Sequence, residues 1–135
     1  MDIQSISAVT LAVQDMARSV AFYQAIGLDI LYGGAQASFT SFRLGDAFVN
    51  LILTPTYVGH WWGRLIFRVE QVDDLHAAFI AKGIQAESPR NGSWGERYFH
   101  LRDPDGHGQS FAQLLRCEDG RARHGCRQGQ LLAML

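Results

Sequence analysis

Apolar and polar positions alternate along this chain in two blocks of similar pattern. Residues 6–13, Ile-Ser-Ala-Val-Thr-Leu-Ala-Val, read as a strand. Asp15 then stands where a helix N-cap belongs. Met16, Ser19, Val20, Tyr23 and Ile26 follow at helical spacing, and Gly27 is a stop signal. Three short strands are predicted near 28–33, 37–44 and 47–54, punctuated by Gly33-Gly34 and Gly45-Asp46. The pattern then restarts. Arg64 to Val69 reads as a strand, and Val72, Leu75, His76, Phe79 and Ile80 form a helical stripe ended by Gly83. Strands are predicted near 84–87, 96–102 and 108–115, with Asp103-Pro104-Asp105-Gly106 as the turn before the last.

One offset relates the two blocks. Val13 and Val69, Met16 and Val72, Tyr23 and Phe79, and Gly27 and Gly83 each lie 56 residues apart. The chain therefore reads as an internal duplication, with each copy a βαβββ module. One such module buries only the helix-side face of its sheet. Two together predict an α+β fold whose curved mixed sheets enclose a hollow, the natural place for a small molecule. The modules occupy about 6–54 and 62–115, so one domain spans 1–115 and a tail of different composition covers 116–135.

Composition narrows the partners. Of 135 residues, 47% are apolar and 19% charged, with a formal net charge of −1. That supports a real core, and it argues against a nucleic-acid or membrane-surface partner, which a basic patch would mark. No apolar run reaches the roughly 20 residues that span a bilayer. Met1-Asp2-Ile3-Gln4 lacks the pattern of a secretory leader. Cys117 and Cys126 have no zinc-site spacing and read as reduced thiols, so a cytoplasmic protein is expected.

The chain resembles the vicinal oxygen chelate superfamily, which groups glyoxalases, extradiol dioxygenases, fosfomycin-resistance enzymes and bleomycin-resistance proteins. The resemblance rests on Val9-Thr10-Leu11-Ala12-Val13-Gln14-Asp15-Met16, Ser19 through Phe22-Tyr23, Gly27-Leu28, Trp94-Gly95-Glu96-Arg97 and Asp103-Pro104-Asp105-Gly106-His107. It covers 6–115 and implies the tandem βαβββ fold. It also implies that metal-using members hold one divalent ion with His, Gln or Glu side chains from four inner strands. By that resemblance the four positions here are Ala8, Asn50, Arg64 and Ser110. Ala8 has no donor atom. Arg64 is a permanent cation, and Asn50 and Ser110 offer only neutral oxygens. No metal is expected at the usual place, and no other cofactor is implied.

Arg64 needs a partner, ideally a carboxylate or phosphate, which is either an internal group such as Glu96 or an anionic or carbonyl-bearing ligand. Aromatic candidates for the wall of the hollow are Phe39, Phe48, Trp62, Trp94, Tyr98 and Phe111; Trp61 and Trp62 face opposite ways if their segment is extended. Tyr98, His100 and Arg102 share one face of their strand, and Arg97, Phe99 and Leu101 share the other. If the polar face lines the hollow, His100 is the best general base available; otherwise it faces solvent. His107 reads as structural, His60 as a loop residue and His76 as a helix residue.

The expected function is metal-independent binding of a small organic molecule through Asn50, Trp62, Arg64, Trp94, Tyr98, His100, Ser110, Phe39 and Phe48, in the manner of bleomycin-resistance-like proteins. Family members of this size suggest a homodimer. The alternative is a lyase- or dioxygenase-type enzyme with a displaced metal, using His100, Glu96 and Tyr98 as its acid–base set. A third reading takes the apolar end, Leu131-Leu132-Ala133-Met134-Leu135, as an interaction segment.

Overall fold

A computed structural model describes residues 2–59 and 61–115; His60, both cysteines and the tail lie outside the described residues. The order is β1 (Ala8–Val13), α1 (Met16–Ala25), β2 (Asp29–Tyr32), β3 (Phe39–Leu44), β4 (Ala47–Leu53), β5 (Arg64–Arg68), α2 (Val72–Ala81), β6 (Arg90–Asn91), β7 (Glu96–Arg102) and β8 (Gly108–Leu114). Two open four-stranded mixed sheets result, ordered β1-β4-β3-β2 and β5-β8-β7-β6. This is the α+β architecture of tandem βαβββ modules. No helix among the described residues is long and apolar enough to cross a membrane.

The duplication holds down to single hydrogen bonds. Gly27 and Gly83, with φ of 108° and 82°, adopt a backbone conformation that suits glycine. Past Gly27, the Leu28 N–H donates to Tyr23 O; past Gly83, Ile84 N–H donates to Phe79 O, both at 3.0 Å. Both helices therefore end in the same Schellman turn. The registers repeat as well. Ala8 pairs with Phe48 in parallel, and Arg64 pairs with Gly108, so the first strands keep the offset of 56 while the fourth strands are offset by 60.

The helix starts differ. Asp15 caps α1 by accepting from Arg18 N at 3.1 Å. Gln71 gives α2 no side-chain cap; instead Gln113 Oε1 of β8 accepts from Val72 N at 2.8 Å. Sequence inspection misplaces one element. The stretch 84–87 is not a strand, because only Glu87 N reaches β7, at His100 O, and Pro89 lacks the N–H needed to continue a ladder. Pairing resumes for two residues only, at Arg90 and Asn91.

The chain divides into two units. The first comprises the chain up to Trp61 together with 103–107; the second comprises Trp62–Arg102 and the chain from Gly108 onward. In the first, Leu11, Val13, Val49, Leu51 and Phe42 bury the helix-side face beneath Met16, Val20 and Tyr23. The turn Asp103–His107 is anchored there. Tyr23 Oη donates to Asp103 Oδ2 at 2.6 Å, Ser19 Oγ donates to Asp105 Oδ2 at 3.2 Å, and His107 Nε2 donates to Ala12 O at 2.8 Å. In the second unit, Phe67, Phe79, Phe99 and Phe111 form one aromatic core. Phe111, a candidate wall residue by sequence, is thus a core residue on the helix side.

Candidate functional site

Strand alternation sets the two faces of β7. Phe99 and Leu101 are buried on the α2 side, where Phe99 meets His76 and Phe79 edge-on. Arg97, on that side too, forms a paired contact with Asp73 of α2, at 2.9 and 3.0 Å. Glu96, Tyr98 and His100 consequently occupy the opposite face, and all three are buried. The face of β7 away from α2 is therefore the one that buries Glu96, Tyr98 and His100, which the pattern of residues left open.

On that face His100 opposes Ser110 across the β7–β8 ladder. Its Nδ1 lies 2.6 Å from Ser110 Oγ and 3.1 Å from Arg64 Nη1, and Arg64 Nη1 also donates to Ser110 Oγ at 3.2 Å. A guanidinium can only donate, so His100 Nδ1 carries the lone pair and the neutral ring holds its proton on Nε2. Burial pushes the imidazole below its ordinary pKa. The Arg64 charge acts in the same direction, Glu87 opposes it, and Arg90 adds to the lowering.

A cavity of 390 Å³ opens beside this cluster. It is lined by Arg64, Gln85, Ala86, Glu87, His100, Leu101, Arg102 and Gly108. Further along the face the groups answer one another. The wholly buried Glu96 carboxylate accepts from Arg68 Nη2 at 3.1 Å and from Trp94 Nε1 at 2.8 Å. Trp94 stacks on Tyr98, whose ring meets His100 at 5.0 Å and whose hydroxyl accepts from Arg90 Nε at 3.0 Å.

The sequence candidates thus separate. Arg64, His100 and Ser110 come together, with Tyr98 beside His100 and Trp94 one step further. Asn50, Phe48 and Phe39 lie on the sheet of the first unit. There Asn50 Nδ2 donates to Thr10 Oγ1 at 3.4 Å, Arg43 covers the Phe48 ring, and Phe39 meets Tyr32. Trp62 does not join the cavity lining and is 95% exposed, while Trp61 contacts the His107 ring. The internal partner suggested for Arg64 is not Glu96, which Arg68 occupies. Glu96 and His100 are four residues apart on one strand, about 13 Å between Cα atoms, with Tyr98 between them. Sequence reasoning missed Gln85, Ala86 and Glu87, because their stretch reads as a strand. The alternation that placed Arg102 beside His100 was the signal for that residue.

A family model described as the Glyoxalase/Bleomycin resistance protein/Dioxygenase superfamily matches residues 5–111. The chain belongs to this superfamily. Solved structures share its fold. One is a lactoylglutathione lyase from Agrobacterium tumefaciens, with TM-score 0.70 and 19% identity, covering 84% of this chain and 96% of that one. Another is the bleomycin resistance determinant encoded on the transposon Tn5, with TM-score 0.70 and 21% identity over 82% and 98%. A third is the fosfomycin resistance protein FosX from Listeria monocytogenes, with TM-score 0.71 and 20% identity over 87% and 98%. No curated protein matches the chain closely enough to count as a relative.

Superfamily membership raises the question of a metal, and the residues present do not suit one. Ala8 offers no donor, and the Asn50 amide leans on Thr10. Arg64 brings a positive guanidinium to the third position and ties up Ser110 at the fourth. Among the described residues no group of three His, Cys, Asp or Glu side chains is placed to hold an ion.

Proposed function

We propose that this superfamily member binds a small organic molecule on the face of its second sheet away from α2, without a divalent metal. One observation carries the reading: the Arg64 guanidinium stands within hydrogen-bond reach of both Ser110 and His100, beside an open cavity. A fixed cation there repels a divalent ion and attracts a polar ligand group. An aromatic step from His100 to Tyr98 and Trp94 backs this cluster with flat rings. In this reading the protein is a cytoplasmic homodimer. Tyr32, Phe39 and Ile52 support the dimer: they are large, exposed and apolar, and the strand registers put them on the face of the first sheet away from its helix.

Titration with Zn²⁺, Ni²⁺ and Mn²⁺, followed by calorimetry and native mass spectrometry, tests the reading. No stoichiometric binding is expected. Tight one-to-one uptake, with Arg64, His100 and Ser110 resonances broadened by Mn²⁺, would overturn it. Light scattering after size exclusion checks the dimer.

A further inference from the structure

Among the described residues Arg64 differs from most other arginines of its unit. Arg68 pairs with Glu96, Arg90 with Glu87 and Arg97 with Asp73, but no described carboxylate lies within ion-pair distance of Arg64. Its described hydrogen bonds all leave from Nη1 and end on neutral acceptors, His100 Nδ1 and Ser110 Oγ. The Nε and Nη2 groups make none to a described residue. Those two N–H groups form one edge of the planar fork, the geometry that receives two oxygens of a carboxylate or phosphate side by side. The two neutral contacts hold the fork in place beforehand, so less side-chain freedom is lost when a ligand arrives.

The cavity has the matching charge. Arg64 and Arg102 line it, and its carboxylate, Glu87, stands 3.7 Å from Arg90. His100 adds a second donor, since its neutral ring holds a proton on Nε2 and that nitrogen has no hydrogen bond to a described residue. Ala86 and Gly108 also line the cavity beside these donors. Resting on the proposed ligand-binding function, we infer that this cavity binds the oxyanion of a small organic acid, a carboxylate or a phosphate-type group. The Nε/Nη2 edge of Arg64 grips the oxygens, and His100 Nε2–H makes the further contact.

The test uses benzoate and phenylphosphonate as anionic probes and benzamide as the neutral match to benzoate, at low ionic strength. The readout is the nitrogen and proton shifts of Arg64 Nε–H and the His100 ring. At least one anion is expected to move both signals saturably at millimolar concentrations, and the stronger of the two identifies the oxyanion type. Benzamide should leave both unmoved. Arg64→Gln should weaken the anion by roughly ten- to hundredfold, as expected for a lost charge-assisted pair of hydrogen bonds. Arg64→Lys, which keeps the charge without the fork, should fall between. The inference is overturned if neither anion gives a saturable shift, if benzamide matches benzoate, or if folded Arg64→Gln binds anions like the wild type. Those results leave metal-free binding of a neutral molecule standing, whereas stoichiometric metal uptake would remove the broader reading.

Discussion

Tyr23→Phe removes one oxygen atom and keeps a ring that touches Phe22 and Phe42. That oxygen donates to Asp103 Oδ2 at 2.6 Å, and both partners are buried. Asp103 Oδ1 is already occupied by the N–H groups of Asp105 and His107, at 3.0 and 2.8 Å. The loss is therefore that of a charge-assisted hydrogen bond with its acceptor left in a dry site, about 1.5–3 kcal/mol. For a chain of this size that lowers Tm by roughly 5–12 °C. Urea denaturation of wild type, Tyr23→Phe, Asp103→Asn and the double variant gives the coupling between the two groups. A coupling of about 1 kcal/mol or more is expected. A Tyr23→Phe protein within about 0.5 kcal/mol of wild type would refute the reasoning, because a hydroxyl so placed cannot be neutral unless water replaces it.

Further outcomes follow from the second unit and the helix ends. The His100 ring, followed by NMR, should titrate below the ordinary histidine value of about 6.5, and Arg64→Gln should raise it. Because the folded state resists protonation, the unfolded chain takes the proton first as pH falls through that value. His100 therefore lowers stability between its unfolded and its folded pKa, and His100→Gln should flatten stability curves recorded there. Trp94→Phe leaves Glu96 Oε1 without its indole donor and should cost about 1–3 kcal/mol by denaturation. Gly27→Ala meets no atom within 4 Å, so only backbone strain acts, and a loss of about 1 kcal/mol in the same assay is expected.

The architecture was legible because each element carried its own punctuation. Asp15, Gly27 and Gly83 mark helix ends that local chemistry dictates, and the offset of 56 marked the first strand and the helix of the second module. The failures share a different cause. Pro89 limits the pairing of 84–91 to a bond at Glu87 and two residues at Arg90, which apolar periodicity cannot register. Which face of β7 lies inside depended on α2 taking Phe99 and Leu101, and either face could be paired with a helix on pattern alone. The site was half visible. Arg64, His100 and Ser110 stood out as chemistry, but Gln85 and Glu87, which complete the cavity, come from a stretch that reads as a strand and folds as a loop.

A chain divided at Trp61 loses more than its second copy. The first half would keep Tyr23 and Ser19 without Asp103 and Asp105, and Ala12 without His107, leaving buried polar groups with no answer. The repeat is thus not by itself a unit of folding. Separate expression of 1–61 should give an unstructured fragment, and a synthetic Asp-Pro-Asp-Gly-His segment spliced onto it is the smallest addition that restores its missing partners. Any rearrangement of this gene that exchanges modules between relatives must carry residues 103–107 along with the half they stabilise, although they are encoded in the other.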